Sequence, residues 1–246
     1  MKWFYQRDEI EVGIDEVARG CFLGRVYTGA VVWPYDETSF SHSDTETEKD
    51  DDKDDKDDNE GDEETENTLE CPITRDSKQY RPDKREELYQ YIHDHALDVQ
   101  YSYCEAEEID KINILQATYK SMHKSLDQLT THVDRILVDG DKFKPYTKID
   151  REGEEEWIPY VCFPKGDTKY LPISAASIVA KVEHDLYIKR LCQEYPELDE
   201  RYDLSSNMGY GSKRHRDGIA KYGVCQFHRM SFGCCRDRTI SPVLSK

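Results

Sequence analysis

Two adjacent carboxylates, Asp15 and Glu16, end an apolar run and are followed at once by a basic, glycine-containing turn, Ala18-Arg19-Gly20. That combination suggests metal and phosphate chemistry. Three further segments set carboxylates in informative company: Ile136-Leu137-Val138-Asp139-Gly140, Lys165-Gly166-Asp167, and the run from Ala175 to Asp185. Asp15 and Asp139 each close an apolar stretch, and carboxylates at the ends of central strands converge on one edge of an α/β sheet. If those strands are neighbours, two negative charges face one point and need a cation to neutralise them. Hard oxygen ligands that leave room for water and phosphate suit Mg²⁺ or Mn²⁺.

Ser177, Lys181 and Asp185 are spaced i, i+4, i+8, so on a helix they drift only about 80° around the axis and share a face, with His184 beside them. Two cations about 4 Å apart, held by Asp15, Glu16, Asp139 and Asp185, would activate a water and stabilise a leaving oxygen in phosphodiester hydrolysis. Downstream, Gly209-Tyr210-Gly211 sets an aromatic ring between two glycines, where a base or sugar can stack. Basic residues follow at Lys213, Arg214, His215 and Arg216, then at His228-Arg229, and are candidates for gripping backbone phosphates.

These residues need elements to position them. Glu9 to Asp15 and Arg25 to Trp33 read as neighbouring strands, the second stopped by Pro34. Pro82 suits the first turn of a helix over Lys84 to Leu97, where Leu88, Ile92 and Leu97 share a face. A strand at Val99 to Cys104, one helix over Ile109 to Leu129 and a buried strand at Val133 to Asp139 complete the order β, β, α, β, α, β. A short strand at Trp157 to Cys162 precedes a long helix over Ile173 to Tyr195 and a shorter one over Ser212 to Tyr222. The alternation predicts an α/β fold: a mixed sheet covered on its faces, in one domain spanning residues 1–246.

Composition sets the outer limits. With 246 residues and 37% hydrophobic content the chain can form a real core. The net charge of -18 looks hostile to nucleic acid, but residues 36–70 hold 18 Asp or Glu against 3 Lys. Without that tract 31 basic residues face 34 acidic ones, so an anionic partner fits the remainder. The tract itself is too poor in apolar side chains to offset the entropy of ordering and reads as a disordered surface insertion. Eight scattered cysteines without metal-ligand spacing read as reduced thiols, hence an intracellular, cytoplasmic protein, and no apolar run approaches the roughly 20 residues that cross a bilayer.

Taken in order, these segments closely resemble type 2 ribonuclease H, the RNase HII family. The resemblance rests on Gly13-Ile14-Asp15-Glu16 with Arg19-Gly20, Asp76-Ser77-Lys78, Asn113-Ile114-Leu115-Gln116-Ala117-Thr118, Val138-Asp139-Gly140, Lys165-Gly166-Asp167, the Ile173 to Asp185 run, Gly209-Tyr210-Gly211 with His215, and His228-Arg229 with Ser231-Phe232. It implies an RNase H-like fold and a monomeric enzyme that cuts RNA in RNA/DNA hybrids and at ribonucleotides embedded in duplex DNA, leaving 5′-phosphate and 3′-hydroxyl ends. It also implies a divalent-metal set on Asp15, Glu16, Asp139 and Asp185. A loop at Ala18, Arg19 and Gly20 would grip the 2′-hydroxyl, and Tyr210 would stack on the next deoxyribose. Lys78, Lys181 and His215 are the remaining substrate-binding candidates. Ala18 stands where the family usually has glycine, and His184 where it has arginine. The alternatives are a type 3 ribonuclease H, for whose extra N-terminal domain the first carboxylate at residue 15 leaves no room, and a non-catalytic nucleic-acid binder, which clustered carboxylates disfavour.

Overall fold

Apolar and small residues run along Glu11–Val17 (β1) and Val26–Val32 (β2) on both faces, so both strands bury almost every side chain and occupy the middle of a sheet. The computed structural model describes residues 1–34, 71–74, 77–149 and 153–244, and of Lys78 only the backbone. The acidic tract at 36–70 and Asp76 lie outside the described residues. Contacts divide the chain into one unit of Met1–Tyr35 with Ile73–Lys246 and a second of Asp36–Pro72.

Asp98–Cys104 (β3), Arg135–Asp139 (β4), Tyr146–Ile149 (β5), Glu155–Ile158 (β6) and Tyr160–Phe163 (β7) supply the other strands. The main sheet runs β3-β2-β1-β4-β7. Its β1–β2 and β2–β3 pairs are antiparallel, and its β1–β4 and β4–β7 pairs parallel. The expected single strand from Trp157 to Cys162 is divided at Pro159, which lacks the N–H a continuous ladder needs. Its first half pairs with β5 in a separate hairpin and its second joins the main sheet.

Helices Pro82–His95 (α1), Ala106–Ile112 (α2), Ile114–Asp127 (α3), Leu171–Glu194 (α4), Glu197–Tyr202 (α5), Leu204–Asn207 (α6) and Lys213–Tyr222 (α7) cover the sheet. The expected helix over Ile109 to Leu129 is two helices. Asn113 takes φ 68 between them, and its side chain accepts the Leu115 and Gln116 N–H groups, capping α3. Met122, Leu126 and Leu129 pack with Val12, Ile14, Ile136 and Val138 on one sheet face. On the other face α4 lies almost on the backbone. A Cβ on Gly13 would sit 2.1 Å from the Pro172 carbonyl carbon, and one on Gly29 2.3 Å from the Ala176 oxygen. Only glycine allows that approach, which sets Ser177 over the end of β1.

Candidate active site

Parallel pairing of β1 with β4 puts Ile14 opposite Val138, so Asp15 and Asp139 emerge next to each other at the same end of the sheet. Asp15 is 5% exposed and takes a hydrogen bond from the Ser177 hydroxyl of α4. Burial, then the charges of Glu16 and Asp139, push its carboxyl well above the ordinary 3.8. The Glu16 N–H donates to Asp15 Oδ1 at 2.7 Å, and the Glu16 side chain meets Arg19 at 2.9 Å. Asp139 Oδ1 accepts the Gly166 N–H at 2.7 Å.

Asp185 is placed otherwise. Each α-helical residue rises about 1.5 Å, so it stands roughly 12 Å further along α4 than Ser177. Its carboxylate is already engaged: Lys181 Nζ at 2.6 Å and His184 Nδ1 at 3.0 Å meet Oδ1, and Arg85 of α1 meets Oδ2 at 3.2 Å. Burial raises its pKa, but the His184 hydrogen bond and the Lys181 charge outweigh that and hold it below 3.8. The structure brings Asp15, Glu16 and Asp139 together at the strand ends and ties Asp185 into an ion-pair network between α1 and α4, one member of which, Lys181, lines the same cleft as Glu16.

The carboxylate that the spacing argument left without a role is Asp167. It follows Gly166, the residue bonded to Asp139, in a 3-10 turn over Gly166–Thr168, and is 6% exposed. The signal was the Lys165-Gly166-Asp167 segment itself, a buried acid directly after a residue that touches the β4 carboxylate.

Glu16 borders two clefts of about 290 Å³ each. One is lined by Val17, Ser77, Ser177, Lys181 and Tyr210. The other is lined by Arg19, Asp139, Gly140, Asp141 and Lys142, among others. Ser77, whose hydroxyl lies 2.9 Å from that of Ser177, brings the 3-10 turn of Ser77–Gln79 to the first cleft, and Lys78 belongs to that turn.

Ala18, Arg19 and Gly20 form the turn after β1. Ala18 holds φ 69, a left-handed conformation usual for glycine, and its N–H donates to the Tyr210 hydroxyl. Tyr210 pairs by a backbone bridge with Cys21, is 38% exposed, and has Lys181 Nζ 6.0 Å from its ring centre. The loop and the tyrosine thus form one wall.

His215 and His228-Arg229, expected to meet phosphates, are buried at 0%, 2% and 0% exposure. Arg229 donates to the carbonyls of Arg19, Gly24 and Arg25, which it holds at 3.0, 2.8 and 2.8 Å. A guanidinium with several donors suits such a clamp on a turn. Sequence alone could not separate these buried donors from the exposed Lys213 and Arg216 nearby.

Three charges of one sign at a buried point fit a divalent cation, and oxygen-only donors favour a hard one. As the side chains stand, no cluster of three His, Cys, Asp or Glu groups among the described residues closes around an ion. No helix among the described residues is long and apolar enough to cross a membrane.

A family model described as Ribonuclease HII matches residues 62–235. Ribonuclease HII of Bacteroides thetaiotaomicron is 36% identical over 234 residues, covering 95% of this chain and 94% of that protein. The enzyme of Christiangramia forsetii is 34% identical over 235 residues, 96% of each chain. Ribonuclease H2 from Pyrococcus horikoshii superposes with TM-score 0.63 at 24% identity, covering 92% of this chain and 94% of that one. An RNase HIII crystallised with Mn²⁺ shares the fold at TM-score 0.56 and 13% identity, covering 92% of this chain and 68% of that one.

Proposed function

Because this chain belongs to the ribonuclease HII family, whose name marks a hydrolytic ribonuclease, we propose that it cuts the RNA strand of RNA/DNA hybrids and also single ribonucleotides embedded in duplex DNA. The observation that carries the reading is the meeting of Asp15, Glu16 and Asp139 at one end of the β1–β4 pair, with Asp15 buried among them. Such an arrangement is costly in a protein that binds polyanions and is explained by a cation that joins with the substrate.

Asp15, Glu16, Asp139 and Asp185 would hold that cation. Asp185 meets Lys181, His184 and Arg85 here, and joining the ion would exchange part of those contacts for it. Mg²⁺ or Mn²⁺, one ion or a pair, supplies positive charge to the phosphate oxygens and acidity to water.

The chain's own groups do the rest. Ser177 fixes the Asp15 carboxyl through its hydroxyl. Lys181, held by Asp185, faces the cleft and offsets charge on an incoming phosphate. Backbone groups of Ala18, Arg19 and Gly20 would sense the 2′-hydroxyl, and the Tyr210 ring, 38% exposed, would offer a sugar a stacking surface.

Incubating the protein with a duplex carrying one ribonucleotide, with and without Mg²⁺ or Mn²⁺, tests this. Metal-dependent cutting at that residue with 5′-phosphate and 3′-hydroxyl ends is expected. Cutting without metal removes the carboxylate chemistry. Metal-dependent cutting of continuous hybrids alone removes the embedded-ribonucleotide reading.

A further inference from the structure

His215 and His228 are buried where no substrate reaches them, yet they are joined to the residue that flanks the cleft. Cys225 N–H lies 3.0 Å from His228 Nδ1, the two Nε2 atoms lie 3.1 Å apart, and His215 Nδ1 lies 3.0 Å from the Tyr210 carbonyl oxygen. A backbone N–H only donates and a carbonyl only accepts, so both ends of this chain are fixed. His228 Nδ1 is unprotonated and accepts from Cys225, with the Cys225 thiol 3.1 Å away. Its Nε2–H then donates to His215 Nε2, and His215 Nδ1–H donates to the Tyr210 oxygen. Every other assignment leaves two acceptors or two donors face to face. Burial depresses the pKa of both imidazoles, which keeps them neutral, as the assignment needs.

The Tyr210 segment needs such support. Met208 and Gly209 before it both hold positive φ, at 50 and 83 degrees. The residue after His228 is Arg229, the clamp on the turn that contains Arg19. Two consecutive residues therefore hold the two halves of the wall.

We propose that His215 and His228 are positioning residues: a buried relay of two neutral imidazoles, anchored on the Cys225 amide, that sets the Tyr210 ring for the sugar following a ribonucleotide. The proposal rests on the reading of Tyr210 as a sugar contact, and its test separates the two.

The ratio of kcat/KM on a single-ribonucleotide duplex to that on a continuous hybrid is measured for Tyr210→Ala, His215→Phe, His215→Asn and the Tyr210→Ala/His215→Phe double variant. Phe keeps a ring without nitrogen, whereas Asn keeps an N–H near the Nδ1 position. Losing one buried hydrogen bond should lower the ratio about tenfold in His215→Phe, with His215→Asn staying within about threefold of the parent. The double variant should match Tyr210→Ala, because both changes remove one function. Equal losses on both substrates, or multiplying losses in the double variant, overturn the relay. A ratio unmoved by Tyr210→Ala alone overturns the sugar-contact reading instead. Imidazole ¹⁵N shifts of the unmodified protein decide the relay independently of activity. Protonation at His215 Nδ1 and His228 Nε2 is expected, and the opposite tautomers overturn it.

Discussion

Two groups of acidic side chains sit on the same long helix and the strands beneath it, and they are built in opposite ways. At the strand ends Asp15, Glu16 and Asp139 crowd together, and Asp15 is pushed above its ordinary range. About two turns along α4 from Ser177, Asp185 is held below its ordinary range among Lys181, His184 and Arg85. The second group is satisfied by the protein itself. The first gathers three acids of one sign at a single point, which is how active sites differ from structural ion pairs.

Exchanging one atom in each group separates them most sharply. Asp139→Asn removes a charge from the crowded group, and since a cation contributes several kcal/mol to the transition state, hydrolysis should fall by about a thousandfold or more with little change in melting temperature. Asp185→Asn leaves Lys181 and Arg85 partly buried without their counter-charge. It should cost about 3 kcal/mol of stability, read by urea unfolding, and at a temperature where the variant is folded it should lower hydrolysis as Asp139→Asn does. If Asp185→Asn instead keeps activity within about tenfold of the parent, Asp185 serves the ion-pair network alone and leaves the ligand set.

Much of this division was legible and one part was not. The alternation of β1, the apolar runs of β2 and β4, and the Pro82 start of α1 mark elements whose own side chains decide them. The break at Asn113 depends on a single side chain turning to cap the next helix, and periodicity runs through it unchanged. The β5–β6 hairpin is short and largely exposed, so no face of it carries a pattern. The repeat that groups Ser177, Lys181 and Asp185 is visible in sequence, whereas the Arg85 contact to Asp185 comes from a helix 100 residues away and is not. The burial of His215, His228 and Arg229 depends on partners up to 210 residues away in sequence, which no local reading contains.

A smaller effect lies in pH and metal dependence. Asp15 has a raised folded pKa, so stability in the absence of metal is full below about pH 4 and declines as pH rises toward that raised value. Asp185 has a lowered one, so its contribution is present above about pH 4 and disappears as pH falls through the folded value. Asp15→Asn should flatten the first decline and Asp185→Asn the second. Divalent ion at about a hundred times its Kd should stabilise the parent by about 2.7 kcal/mol and Asp15→Asn far less. Calorimetric scans across pH, with and without Mg²⁺, read all of these. A metal response that survives intact in Asp15→Asn would detach the ion from this group.

The smallest expected effect concerns backbone rather than charge, and it too falls on the strand-end side. Ala18, two residues beyond Glu16, holds φ 69, a conformation that costs an alanine about 1 to 2 kcal/mol. Its methyl is buried with Val17, Cys21, Tyr27 and Ala180, which returns about 0.8 kcal/mol. Glycine would relieve the strain but lose that burial and add about 0.4 to 1 kcal/mol of unfolded-chain entropy. The three nearly cancel, so Ala18→Gly should shift stability by about 0.5 kcal/mol or less while keeping the N–H that meets the Tyr210 hydroxyl. Ala18→Val keeps the strain and adds a β-branch, and should lose about 2 kcal/mol or more in the same unfolding measurement. If valine is tolerated as well as glycine, the turn after Glu16 is not held in this conformation in solution, and the strand-end group would carry charge strain alone.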